Sequence, residues 1–146
     1  MNQTMRLLKH IATLVMALSL CGTRAMADVV TVVSAKSPMT TLTKSQVTNI
    51  FLGKTSRFPD GTLAVPVDQA DGASVRDEFY ATVAGKSAEQ MKAHWSKIIF
   101  TGRGHPPREE TANSDVKKFL LSNPAAIGYI DKSALDANVK ALTILP

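Results

Sequence analysis

Cysteine is almost missing from this sequence. Its single cysteine, Cys21, falls in the first 27 residues, so positions 28–146 hold neither a disulfide nor a thiol. That excludes a disulfide scaffold and thiol redox chemistry there, and it suits an oxidising, extracytoplasmic compartment. Aromatic residues make up only 5% and no run of basic residues occurs, which argues against a nucleic-acid surface. His94 and His105 stand apart from each other, with no cysteine and no spaced carboxylate beside them. No metal site is expected from such a set. A long hydrophobic run is lacking as well. The apolar stretch Ile11 to Leu20 is too short to span a bilayer.

That stretch has another reading. Arg6 and Lys9 precede it, and Ala25-Met26-Ala27 follows as a small-residue cleavage site before Asp28. This is the layout of a secretory signal peptide cleaved after Ala27, leaving a secreted or periplasmic protein without membrane insertion. A lipid anchor on Cys21 is disfavoured because Leu20 is bulky where such a signal has a small residue. Three of the 17 basic residues, Arg6, Lys9 and Arg24, lie in this leader, so 14 remain against 12 acids. The net charge of +5 thereby falls to +2, and the strongly basic balance belongs largely to the leader. Residues 28–146 number 119 and are enough for one self-sufficient domain.

Along that domain, Val29 to Ser34 is a β-branched run and reads as a buried strand. Thr43 and Gln46 form a capping box, with Leu42 and Val47 as a hydrophobic staple. Val47, Ile50 and Phe51 then make an apolar stripe that stops at Gly53. Arg57 to Gly61 is a turn, and Leu63 to Val67 a strand whose Pro66 predicts an edge or a crossing point. A helix over 73–84 carries Val75, Phe79 and Val83. Ser87 and Gln90 cap the next, with Met91, Trp95, Ile98 and Ile99 inward. Residues 100–113 read as a long loop, and a helix from near Ser114 buries Val116, Phe119 and Leu120 before Asn123-Pro124. Ala126 to Ile130 and Val139 to Leu145 read as closing strands. Strands interleaved with about four amphipathic helices predict a layered α/β domain with a mixed sheet.

Catalytic and cofactor motifs fail on inspection. Gly53-Lys54-Thr55 imitates the end of a phosphate-binding P-loop, yet Thr48 stands where that loop needs glycine. Gly102-Arg103-Gly104 has no preceding strand and no third glycine for a dinucleotide fold. No strand–Gly-x-Ser-x-Gly–helix context supports a nucleophile, and the acid pairs Asp77-Glu78 and Glu109-Glu110 read as solvated surface. No catalytic residue and no cofactor is implied. The start of the helix after Gly72 is more informative, because free amides there favour an anion. Ser74 adds a hydroxyl, Gln69 an amide and Arg76 a charge. The plainer reading is that Asp71 or Ser74 merely caps the helix.

Three stretches, in order, give a family resemblance. Val65-Pro-Val-Asp-Gln-Ala-Asp-Gly-Ala-Ser-Val-Arg-Asp-Glu-Phe79 resembles the strand–turn–helix of the phosphate-binding component of ABC importers, where Arg-x-Asp-Gly-Ser-Gly-Thr precedes Phe. Leu42 to Lys54 resembles that family's helix ending in Ile-Phe-x-Gly. Gly102-Arg-Gly104, Asn113-Ser-Asp-Val116 and Asn123-Pro-Ala-Ala-Ile-Gly-Tyr129 resemble its Gly-x-Gly, Asn-x-x-Val and Pro-Gly-x-Ile-Gly-Tyr series. The resemblance covers nearly all of residues 29–146.

It implies a periplasmic-binding-protein-like α/β domain. Family members fold as two lobes closing on the ligand, and this chain has the length of about one. The residues that correspond to the ligand site are Gln69, Asp71, Gly72, Ala73, Ser74 and Arg76. Gln69 replaces the family's arginine, Ala73-Ser74-Val75 replaces Ser-Gly-Thr, and only Asp71, Gly72 and Phe79 match outright. Two functions follow. One is a solute-binding-protein-like domain taking phosphate or another small anion in an ABC-transport or sensing context. The other is an envelope interaction module, partnered by a transporter or sensor protein, that kept the fold without the ligand site.

Overall fold

The computed structural model describes residues 28–146. The leader, its cleavage after Ala27 and Cys21 lie outside the described residues. β1 (Val29–Ser34) is an interior strand of the main sheet, antiparallel to β5 (Ala126–Asp131) on one side and to β6 (Val139–Ala141) on the other. β3 (Val65–Gln69) joins β5 in parallel, and β4 (Arg108–Glu110) extends the sheet beyond β3. The mixed sheet therefore has the order β4-β3-β5-β1-β6. A separate parallel pair is formed by β2 (Thr41–Thr43) and β7 (Thr143–Leu145).

Strand alternation divides the core into two layers. Val33, Ile127 and Tyr129 face α1 (Lys44–Phe51), α2 (Ser74–Ala84) and α3 (Ala88–Phe100), meeting Ile50, Phe51, Phe79, Tyr80, Met91 and Trp95. Val32, Val67 and Ile130 face α4 (Asn113–Ser122), whose Val116 and Leu120 are fully buried. Helices on both faces of a sheet make a three-layer α/β domain. Gly128 permits the tight seat of α4. A Cβ there would stand 2.8 Å from both Val116 Cγ1 and Val67 Cγ1.

Both predicted capping boxes form. Thr43 and Gln46 exchange bonds at the start of α1, and Ser87 and Gln90 do so at α3. Leu42 and Val47 share one core cluster, and Gly53 takes φ +71° just past α1 against the Trp95 ring.

Several expectations need correction. β3 is shifted two residues on from the 63–67 strand, since Leu63 makes only an isolated bridge to Arg57. Nor is β3 an edge strand. Pro66 is tolerated because β4 begins opposite Val67, one residue further on, so the missing N–H falls where no strand lies. The 100–113 loop is interrupted by β4. Ile99 is 56% exposed rather than inward, Phe119 is half-buried, and the Val139–Leu145 strand breaks at Leu142 into β6 and β7. β2, read only as a helix cap, pairs with β7 because the break at Leu142 lets Thr143–Leu145 leave the main sheet and run beside it.

Candidate functional site

The C-terminal end of β3 and the start of α2 carry the most polar cluster of the interior. The chain leaves the sheet at Gln69, turns through Gly72 at φ +84°, where glycine carries no steric cost, and enters α2 at Ser74. Ala73 is the residue at the helix start, and no side chain caps it. Neither Asp71 nor Ser74 caps α2, as the plainer reading had it. Asp71 is exposed and accepts a 2.8 Å bond from Arg76 Nη1, while Ser74 is exposed to solvent.

At the bottom of the cluster lies Asp68, 1% exposed. Its carboxylate accepts from the Tyr129 hydroxyl, from the Tyr80 hydroxyl at 2.7 Å and from the Gln69 amide at 2.9 Å. Arg76 Nε stands 3.4 Å from Asp68 Oδ1, an ion-pair contact without a directed hydrogen bond. The guanidinium also lies 5.5 Å from the Tyr80 ring centroid. A buried carboxylate costs several kcal/mol in desolvation, which a full shell of donors and a paired cation offset.

The ionisation of the cluster follows from this packing. Burial first, and then the charge of Asp68, pushes both tyrosine phenols far above their ordinary value of 10.0 and keeps them as proton donors. For Arg76, burial works to lower the pKa, but Asp68 and the hydroxyls outweigh it and the net direction is upward. The guanidinium stays charged.

Gln69 does not face the helix start. Its Nε2 donates to Asn113 Oδ1 at 2.9 Å and to the Tyr129 carbonyl at 3.1 Å, so it ties β3 to α4 and β5. Of the residues that correspond to the ligand site, Asp71, Gly72, Ala73 and Ser74 gather at the open start of α2. Arg76 lies beneath them, held by two carboxylates, and Gln69 is turned inward. Asp68, Tyr80 and Tyr129 were missed. The available signal was an acid inside an apolar strand, Val67-Asp68-Gln69, which demands buried donors wherever that strand is covered. Among the described residues, no group of three His, Cys, Asp or Glu could hold a metal ion, and no helix is long and apolar enough to cross a membrane.

No family model and no curated protein matches this sequence. Solved structures do match by shape. A protein described as a phosphate ABC transporter substrate-binding protein with bound phosphate, from Clostridium perfringens, is 23% identical with a TM-score of 0.64, over 80% of this chain and 44% of its own. An ABC-type phosphate transport receptor from Vibrio cholerae is 21% identical with a TM-score of 0.63, over 80% and 45%. PstS from Borrelia burgdorferi is 14% identical with a TM-score of 0.52, over 80% and 46%. The chain thus spans less than half the length of each. At these identities the likeness establishes fold. The described domain has the α/β fold of the matched part of these structures.

Proposed function

We propose that this chain is an exported binding module of the cell envelope, non-enzymatic, which offers a small oxyanion such as phosphate a shallow site at the start of α2 and works beside a membrane transporter or sensor protein. One observation carries this reading. Ala73 holds the cap position and has no side-chain acceptor, and Asp71 is engaged by Arg76, so no side chain caps the first amides of α2 next to the exposed Ser74 hydroxyl. Such a helix start favours negative charge. The shape likeness to phosphate-binding proteins supports the same reading, and the Ala25-Met26-Ala27 site supports export.

Affinity is low on this reading. About three charge-assisted bonds at roughly 1.5–3 kcal/mol each are offset by association costs of at least about 4 kcal/mol. That leaves binding near 1 mM, about −4.1 kcal/mol, or weaker. Restoring the family's arginine at Gln69 is a poor test, because it sacrifices two buried hydrogen bonds. Asp71→Asn removes a competing charge from the site and should tighten phosphate binding, whereas Ser74→Ala should weaken it. Amide-resonance titration with phosphate reads both.

The interaction-module reading has its own support. Arg76, the cation carried by α2's first turn, is already neutralised by Asp68 and Asp71. It takes over if phosphate moves no resonance between residues 69 and 76 in either the natural chain or Asp71→Asn.

A further inference from the structure

A cavity of about 280 Å³ opens on the opposite side of α2, bounded by β1, the N-terminal turn of α1 and the β6–β7 segment. Its wall is apolar, formed chiefly by Phe79, Val83, Leu142 and Ile144. Three lining residues are polar, Thr31, Thr82 and Lys44, and no carboxylate lines it. Thr31 is only 5% exposed, at the inner wall of the cavity. Lys44 joins no ion pair among the described residues and sits in the first turn of α1, which holds no acid. Charge at this mouth is therefore positive, supplied by the Lys44 side chain.

We propose that this cavity binds a short apolar carboxylate, whose hydrocarbon tail lies against Phe79, Val83 and Leu142 and whose charged end is met by Lys44 and the lining hydroxyls. An apolar wall with a few polar groups is the general form of small-molecule sites. At about 280 Å³ the cavity is at the small end of ligand sites, which suits a short chain such as hexanoate. A sugar would leave its hydroxyls unpaired on such a wall, and an alkyl amine would meet Lys44 with no acid to receive it. The cavity shares no residue with the 69–76 segment, so this site and the oxyanion site stand or fall separately.

Titration of the protein with sodium hexanoate, followed by amide resonances, tests this. Saturable shifts are expected at Thr31, Thr82, Val83 and Leu142, while phosphate leaves these unmoved. Acetate, lacking the tail, should bind roughly a hundred-fold more weakly. Hexylamine should not bind. Lys44→Gln, a change at an exposed position, should weaken hexanoate roughly five-fold. Thr82→Trp, also at an exposed position, should plug the cavity and abolish binding at an unchanged melting temperature. The proposal is overturned if hexanoate moves no cavity resonance, if hexylamine binds as well as hexanoate, or if Lys44→Gln binds hexanoate undiminished.

Discussion

Phe79 lies flat on Tyr129, with ring centroids 3.9 Å apart and planes 7° from parallel, and the phenol of that same Tyr129 donates to the buried Asp68. One side chain thus joins the aromatic core to the polar cluster below the helix start. Phe51 meets both rings edge-on, at 4.7 Å from Phe79 and 5.8 Å from Tyr129. The site's geometry is consequently fixed by core packing.

Tyr129→Phe separates the two roles. It keeps the stacked ring and removes one donor from Asp68, which also receives Tyr80 and the Gln69 amide. A loss of about 1–3 kcal/mol is expected in urea unfolding, the cost of under-satisfying a buried acceptor. A loss below about 0.5 kcal/mol would show that Asp68 is not sealed from water.

Asp68→Ala should cost more, about 3–5 kcal/mol, because it strands Arg76 in the interior with only the exposed Asp71 to pair it. Replacing both residues, as Asp68→Ala with Arg76→Met, should recover part of that loss. Additive losses in the double-mutant cycle would mean that the 3.4 Å contact carries no coupling.

Alkaline pH should destabilise the fold through the two tyrosines. Their folded pKa values lie above the ordinary 10.0, so above that pH the unfolded chain gives up protons that the folded chain retains. Stability is then fully present below about pH 10 and falls as pH rises further, by up to about 1.4 kcal/mol per pH unit for each phenol. The difference in slope between the natural chain and the Tyr80→Phe, Tyr129→Phe variant isolates this from lysine titration. Equal slopes above pH 10 would contradict it.

Gly128→Ala tests how closely α4 sits on the sheet. The added methyl meets two Cγ1 atoms at 2.8 Å, both on β-branched residues within regular elements that cannot swing away. A loss of about 1–3 kcal/mol is expected from overpacking. The added Val116→Ala, by making room, should restore less than it costs alone.

The two capping boxes are separable from all of this. Thr43→Ala and Ser87→Ala should each cost about 1 kcal/mol in urea unfolding, and Ser87→Ala, remote from both sites, should leave phosphate and hexanoate titrations unchanged.

The helices, the caps of α1 and α3 and most of the apolar faces were written in the sequence, because capping and stripe formation act between residues three or four apart. Thr43 finds Gln46, and Val47, Ile50 and Phe51 face one way, whatever the rest of the chain does. The fold's layered character followed, since strands alternating with such helices have few ways to cover both faces of a sheet. Tertiary structure alone decided the rest. β4 has three residues and no pattern of its own, and it exists because the edge of β3 lies beside it. Asp68 is satisfied by hydroxyls 12 and 61 positions away, a pairing that no local spacing announces. Gln69 and Arg76 were legible as polar residues flanking a helix start, but their directions were not. The demand of the buried Asp68 for donors and a counter-charge turned Arg76 inward, and Asn113 with the Tyr129 carbonyl turned Gln69 away. Burying a charge forces its neighbours' orientation, and which charge is buried is known only once the sheet has closed over it.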